Sequence, residues 1–292
     1  MKKLPVIFIT SSGRSGSTLL DLMLAQHSTI TSVGEIFDYD KWMENNWSCL
    51  CKNPIRECEY WSQVRHVLPG KDQFRIGHLS KRQIRKSLLV RPSPQEAIEY
   101  CHHIYKLYEA VLKHSESEFI VDSSKSVQQL LYLLESNLFD TNIIHLIRNG
   151  KSVVNSTRKS FVFPESGKKS RPQSPFYSST RWLVHNIMRH RLSKQYGRQR
   201  YILVRYEDIA TEPRREMQRI CRKFNLEYEA SMSSPSSKNI HTIGGSRWRF
   251  TQSLSGTFQI KLDERWKTEL SNSDRLVFNL IGGFLNRIYG YE

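Results

Sequence analysis

Ser11-Ser12-Gly13-Arg14-Ser15-Gly16-Ser17-Thr18-Leu19-Leu20 is the stretch in which chemistry first becomes legible. It lies between the apolar run Val6 to Thr10 and a leucine-rich stretch from Thr18 to Gln26, which read as a strand and a helix. A glycine- and serine-rich turn in that position aims backbone N–H groups at one point, and the helix N-terminus adds about half a positive charge there. Arg14 brings a full charge, and the hydroxyls of Ser15, Ser17 and Thr18 bring further donors. The plain alternative is an ordinary strand-to-helix turn with a Ser/Thr cap. Position, composition and Arg14 together favour an anion site spanning Gly13, Arg14, Ser15, Gly16, Ser17 and Thr18.

The nucleotide triphosphatase loop G-x-x-x-x-G-K-[ST] offers a comparison. Aligning Gly16-Ser17-Thr18 with its end puts Ser17 where the lysine belongs and Ser11 where the first glycine belongs. That lysine works with Mg²⁺ to neutralise the β and γ phosphates, and it is missing here. Asp122, ending Phe119-Ile120-Val121-Asp122, could still hold magnesium, so a P-loop kinase using ATP and Mg²⁺ stands as the second reading.

A second anion site is suggested by Asn142-Ile143-Ile144-His145-Leu146-Ile147-Arg148, a strand that ends in a cation. Asn149-Gly150 breaks it, Lys151 opens a helix, and Ser156 follows Arg148 by eight residues, about two turns into that helix. An Arg paired with a surface carboxylate and a merely exposed Ser would read equally well in isolation. Asp122-Ser123-Ser124-Lys125 also follows a strand, so Lys125 could stabilise charge at the ligand edge, oriented by Ser123 or Ser124. His145, inside its strand, reads as a core histidine, and His241 lies in a Ser- and Gly-rich segment with little claim to catalysis. Cys49, Cys51 and Cys58 are spaced C-x-C-x6-C, with His66 further on. A zinc site wants four ligands in paired turns. This irregular spacing reads instead as loop packing beside Trp47, Tyr60 and Trp61, with no metal.

The elements that position these groups alternate. Val6–Thr10, Phe119–Asp122, Asn142–Arg148 and Tyr201–Tyr206 read as strands; Thr18–Gln26, Ser126–Glu135, Lys151–Arg158 and Pro213–Phe224 read as helices. Continuous apolar strands alternating with helices imply an α/β fold, a central parallel sheet flanked by helices in a single domain over 1–292. Ligands in such sheets bind at the carboxyl ends of the strands. Residues 39–66, 160–176 and 230–247 interrupt the pattern and read as active-site loops or lids.

Taken together, these motifs have a family likeness. Gly13-Arg14-Ser15-Gly16-Ser17-Thr18 resembles the 5′-phosphosulfate loop of sulfotransferases that use 3′-phosphoadenosine 5′-phosphosulfate (PAPS). Leu146 to Ser156 resembles their 3′-phosphate motif, and Val204-Arg205-Tyr206-Glu207-Asp208 followed by Pro213 resembles their R-Y-E-D-L stretch. Gly245-Ser246-Arg247-Trp248-Arg249-Phe250 and Glu264-Arg265-Trp266-Lys267 are similar to later nucleotide-loop segments, with Ser246 in place of an Asn. The resemblance implies a P-loop-like fold. It also implies Arg14 to Thr18 on the phosphosulfate, Arg148 and Ser156 on the 3′-phosphate, and Tyr206 and Arg249 at the nucleotide. The product would be 3′-phosphoadenosine 5′-phosphate (PAP), with no metal required. Ser32-Val33-Gly34-Glu35-Ile36-Phe37 resembles the segment that carries the base in the family's glutamate branch, implying Glu35 as base and Arg14 and Lys125 as charge stabilisers. The acceptor would be a hydroxyl, or an amine, of a carbohydrate or small natural product.

The bulk numbers agree with an anionic ligand. Of 292 residues, 44 are Lys or Arg and 28 Asp or Glu, a net charge of +16 that attracts anions. Nucleic acid is set aside because no helix-turn-helix, zinc-finger or RNP-like aromatic pattern occurs. The apolar run after Met1-Lys2-Lys3 is too short for a signal peptide, no stretch is long enough to span a membrane, and five cysteines do not make a disulfide framework. The expectation is a cytoplasmic enzyme.

Overall fold

Alternate residues of the first strand dictate the architecture. Along β1 (Leu4–Ser11), Val6 and Phe8 enter one apolar cluster while Ile7 and Ile9 enter another, and all four are fully buried. A strand that is apolar on both sides has to be covered on both faces. The computed structural model describes residues 2–87, 89–160, 162, 167, 169–246 and 258–292. Among them β1, β2 (Ile30–Gly34), β3 (Phe119–Lys125), β4 (Phe139–Ile147) and β5 (Tyr201–Arg205) form a five-stranded sheet, ordered β2-β3-β1-β4-β5 and parallel throughout.

Helices α1 (Ser17–Leu24), α2 (Tyr39–Glu44), α3 (Glu59–His66), α4 (Lys81–Lys86), α5 (Pro94–Ser115), α6 (Val127–Ser136), α7 (Gly150–Thr157), α8 (Pro175–Gln195), α9 (Tyr206–Thr211), α10 (Pro213–Phe224), α11 (Trp266–Glu269) and α12 (Asn272–Ile288) surround it. One face is covered by α5 and α6, through Ile104, Tyr108 and Leu130, and the other by α1 and α10, through Leu20, Met23, Met217 and Ile220. The long α5 starts where local chemistry says it should. Ser93 and Glu96 form a reciprocal capping box, and Pro94 occupies the first turn, where its missing N–H loses nothing.

The α/β class and the parallel sheet agree with the sequence reading, and Pro213–Phe224 is helical over the expected span. The structure corrects that reading at β2, which the sequence did not present as a strand. Ile30-Thr31-Ser32-Val33-Gly34 is short and half polar, and Ser32 is buried only because it donates to Asp21 Oδ1 at 2.6 Å. Residues 39–66 are likewise less of a loop than expected. They contain α2 and α3, and Trp42 and Trp61 are 4% and 0% exposed, so these indoles belong to the core and do not offer faces to a ligand. Residues 160–176 lie partly outside the described residues.

Asp21 gives the fold a pH signature. It sits on the buried side of α1, and burial raises its carboxyl from 3.8 to about 7, more than the Ser32 hydrogen bond lowers it. Asp122 is raised the same way, to about 6. An acid raised in the fold stays protonated while the unfolded chain ionises. Its stabilising contribution is therefore complete below pH 3.8 and is lost as pH climbs through about 7. Asp21→Asn cannot ionise, so it should gain on the wild type by roughly 5 °C in Tm between pH 5 and pH 8. Melting curves across that range test this, and a difference independent of pH would refute it.

Candidate active site

The carboxyl ends of β1, β3 and β4 and the turn after β2 bring the chemistry-bearing residues together. After β1 the chain turns through Ser12 to Gly16 and enters α1, whose first N–H groups have no partner within the helix. Gly16 has φ +89°, and a Cβ there would lie 2.4 Å from Cδ2 of Tyr206, so only glycine lets the loop rest on that ring. Arg14 is also left-handed, at φ +69°, a conformation non-glycine residues keep only where the surroundings enforce it. Thr18 Oγ1 accepts from the Ser246 N–H at 2.9 Å. Ser15 is 1% exposed, and its Oγ finds no partner among the described residues.

Arg148 is the hub of the second site. Its guanidinium donates to the Arg14 carbonyl at 2.9 Å and to the Asp263 carbonyl at 3.1 Å, and lies 4.4 Å over the Tyr206 ring. Asp263 also pairs with it at 3.0 Å, and a two-pronged contact from Arg265, with Arg148 adding to it, holds the Asp263 carboxyl well below the usual range. The start of α7 is fixed from three directions. Glu207 Oε1 accepts from Asn149 N–H at 3.0 Å, and Asn149 Oδ1 accepts from Lys151 N–H at 3.0 Å. A Cβ on Gly150 would meet Phe278 Cζ at 2.1 Å, so α7 is pressed against α12. Ser156 is half-buried on α7.

Glu35 follows β2 at a turn that only Gly34 can make, with φ +73° and the Ile243 carbonyl 2.2 Å from where a Cβ would stand. Its N–H donates to that carbonyl at 2.8 Å, and its carboxylate forms an ion pair with Lys125. Both side chains are mostly buried, 16% and 23% exposed. Lys125 ends β3 in left-handed backbone, at φ +66°, where the β1–β3 register shifts. Ser124 does not orient it as the sequence suggested; its Oγ accepts from Phe37 N–H at 2.9 Å.

One cleft of about 770 Å³ is lined by Gly13, Arg14, Gly16, Ser17, Thr18, Glu35, Lys125, Arg148, Ser156 and Tyr206, and by the segment 259–265. Of the expected residues that are described, one is not part of it. Ser15 is buried away from the lining, and Arg249 lies outside the described residues.

Other candidates separate cleanly. Asp122 is fully buried, accepting from Tyr108 Oη at 2.5 Å and from Ser124 N–H at 2.7 Å, and it does not line the cleft, so the magnesium ligand of the kinase reading is occupied elsewhere. His145 is a core residue. Asn186 Nδ2 donates to a carbonyl, so its Oδ1 accepts from His145 Nε2 at 2.9 Å, and Nδ1 accepts from Tyr201 Oη at 2.6 Å. Burial pushes that imidazole down to about 3, which keeps it neutral. His66 is not beside the cysteines; His241 is.

Sequence reasoning missed Arg189. It is 2% exposed and donates to Thr10 Oγ1 at 2.8 Å, to the Ser11 carbonyl at 2.5 Å and to the Lys125 carbonyl at 3.3 Å. It thereby braces the root of the phosphate loop against Lys125. The available signal was Trp182, Asn186 and Arg189 at helical spacing on one face of α8, all of them buried.

A sequence model of the Sulfotransferase family matches residues 5–230, from β1 through α10. The chain belongs to the sulfotransferase family. No curated protein matches its sequence. Among solved structures this sulfotransferase is similar to the sulfotransferase domain from the Synechococcus PCC 7002 olefin synthase, at 21% identity and a TM-score of 0.58, over 100% of this chain and 97% of that one. The sulfotransferase domain from the curacin biosynthetic pathway is similar at 20% identity and a TM-score of 0.56, over 100% and 99%. These likenesses show a shared fold. Among the described residues of this sulfotransferase, no helix is long and apolar enough to cross a membrane.

Proposed function

We propose that this sulfotransferase takes its sulfuryl group from PAPS and passes it to a hydroxyl, or an amine, of a small acceptor, releasing PAP. The observation that carries the reading is that one cleft is lined by the Arg14 loop, by Arg148 with Ser156, and by the Glu35–Lys125 pair. PAPS needs two separated anion sites, and the acceptor needs a base beside one of them. The loop from Gly13 to Thr18, with the N-terminus of α1, receives the 5′-phosphosulfate. Arg148 and Ser156 receive the 3′-phosphate, and Tyr206 carries both the loop and the Arg148 guanidinium. Arg249 is assigned to the nucleotide on its sequence motif alone.

In the transfer an acceptor oxygen forms a bond to sulfur as the bond from sulfur to the bridging phosphate oxygen breaks, leaving the electron pair on PAP. Glu35 takes the acceptor proton. Arg14 and the helix N-terminus meet the charge that grows on the departing phosphate. Lys125 shares its ammonium between Glu35 and the bridging oxygen. Similar domains belong to an olefin synthase and a biosynthetic pathway, which favours a small biosynthetic product over a polymer as acceptor.

The nucleotide half of the proposal has a direct test. PAP without metal should raise the Tm, whereas ATP with Mg²⁺ should do so far less. Calorimetry should show PAP binding more tightly than adenosine 5′-monophosphate. Arg148→Ala should weaken PAP by about 10- to 150-fold, the equivalent of one charge-assisted contact worth roughly 1.5–3 kcal/mol. Equal affinity for the two nucleotides in the wild type would remove Arg148 and Ser156 from the 3′-phosphate. Stabilisation by ATP with Mg²⁺ alone would favour the kinase.

A further inference from the structure

Cys49, Cys51, Cys58 and His241 come from two segments almost two hundred residues apart, yet their ligand atoms all lie within 4.8 Å of one another. We propose that these four side chains hold a structural zinc ion that fastens the turn after α2 to the segment behind Glu35.

Donor set and geometry both point to zinc. Three thiols and one imidazole form a Cys₃His set, which zinc takes as a closed tetrahedron. With Zn–S about 2.3 Å and Zn–N about 2.05 Å, the edges of that tetrahedron are about 3.8 Å between sulfurs and about 3.6 Å between sulfur and nitrogen. The distance from Cys51 Sγ to Cys58 Sγ is 3.6 Å, from Cys58 Sγ to His241 Nδ1 3.3 Å, and from Cys49 Sγ to His241 Nδ1 3.9 Å. These three of the six edges lie within about 0.3 Å of the tetrahedral lengths, and all four donors lie within 4.8 Å of one another, close enough for one ion to bind them all.

The backbone is built to hold them there. Cys49 N–H donates to the Asn53 carbonyl and Lys52 N–H to the Cys49 carbonyl, both at 2.9 Å, while Ser48 and Pro54 form an antiparallel bridge. Lys52, at φ +73°, closes this tight turn and turns both of its cysteines toward Cys58. Cys58 is the residue from which α3 starts, where the helix dipole favours a thiolate. Cys49 and Cys58 are fully buried and Cys51 and His241 half-buried, and the His241 ring stacks on Tyr60 with centroids 4.9 Å apart and planes 4° from parallel. With all four positions taken by protein, such an ion has no place for substrate, and its role is structural.

What it would hold in place is specific. The Leu50 N–H donates to the Thr242 carbonyl at 3.1 Å, and the next carbonyl along, Ile243, accepts from Glu35 N–H at 2.8 Å. A Cβ on Gly244 would stand 2.4 Å from that of Glu35. An ion on His241 therefore lies two residues from the backbone that positions Glu35. The consequence for catalysis rests on Glu35 being the base; the ion itself does not.

The full chain, purified under reducing conditions without chelator, should carry about one zinc by elemental mass spectrometry. Cys58→Ser and His241→Ala should each fall below about 0.2 zinc per chain, while Cys101→Ser, a buried thiol outside the cluster, should keep its full content. Cobalt replacement should give the sulfur-to-metal absorption and intense visible bands of a tetrahedral thiolate site. If the variants do not fold, the wild type decides the matter: a strong chelator should lower its Tm, and zinc but not magnesium should restore it. Folded wild type without zinc, a Cys51–Cys58 disulfide in its peptide map, or zinc content unchanged in Cys58→Ser would each overturn the proposal. Zinc present with full turnover in a Glu35 variant would overturn the base assignment instead and leave the metal site standing.

Discussion

Replacing Glu35 with glutamine should lower kcat by about 10²–10⁴-fold, the usual contribution of a positioned base. Glutamine keeps the shape of the side chain and an oxygen that can accept from Lys125, so the cleft should hold and PAP affinity should change by no more than about twofold. Turnover at saturating PAPS, measured beside PAP calorimetry, separates the two quantities. Near-normal turnover would mean that the acceptor arrives deprotonated, as an amine can, or that Lys125 carries the proton. His241 is no rival of equal standing. It does not line the cleft, and its Nδ1 faces three cysteines. A loss of activity in a His241 variant should therefore come with a lower Tm, whereas Glu35→Gln should melt close to the wild type.

Arg14→Ala should reduce kcat by about 10²–10³-fold while raising the KM for PAPS by a smaller factor. The physical reason is timing: charge accumulates on the departing phosphate only as the sulfur–oxygen bond stretches, and Arg14 answers that charge most strongly then. The loop should survive the substitution, because the Arg14 carbonyl stays held by Arg148 and the Gly16 turn stays seated on Tyr206. Initial-rate kinetics over a range of PAPS decide the outcome. A raised KM with intact kcat would make Arg14 a residue of ground-state binding only.

How far the sequence reached depended on distance along the chain. The Arg14 loop, Arg148 to Ser156 and the strands that present them were legible because each is a local pattern: an apolar run, a break, then polar residues at the edge where parallel sheets bind ligands. Glu35 was legible as a motif, although the strand before it was not. β2 is stabilised by pairing with β3 and by the buried Ser32–Asp21 bond, and no local propensity announces either. The cysteines were read with His66, the nearest histidine downstream, while His241 reaches them only because Gly34 bridges Ile243 across the fold. Arg189 stayed hidden for a related reason. Its partners are main-chain carbonyls and a threonine on other elements, which no spacing encodes.

The strand order has a consequence for how the chain is made. β1 occupies the middle of the sheet, yet its hydrogen-bonding neighbours β3 and β4 begin at Phe119 and Phe139. On a ribosome adding roughly 5–20 residues per second, the first strand waits on the order of 6–25 s before β4 exists to pair with it. Until β3 emerges, Val6-Ile7-Phe8-Ile9 is an apolar strand with both edges open, and until β4 follows one edge stays open, the kind of segment that associates with other nascent chains. Slower synthesis lengthens the wait, and a holdase that shelters early strands shortens the exposure. Soluble yield during expression should therefore respond to chaperone supply more than to changes that stabilise the finished molecule.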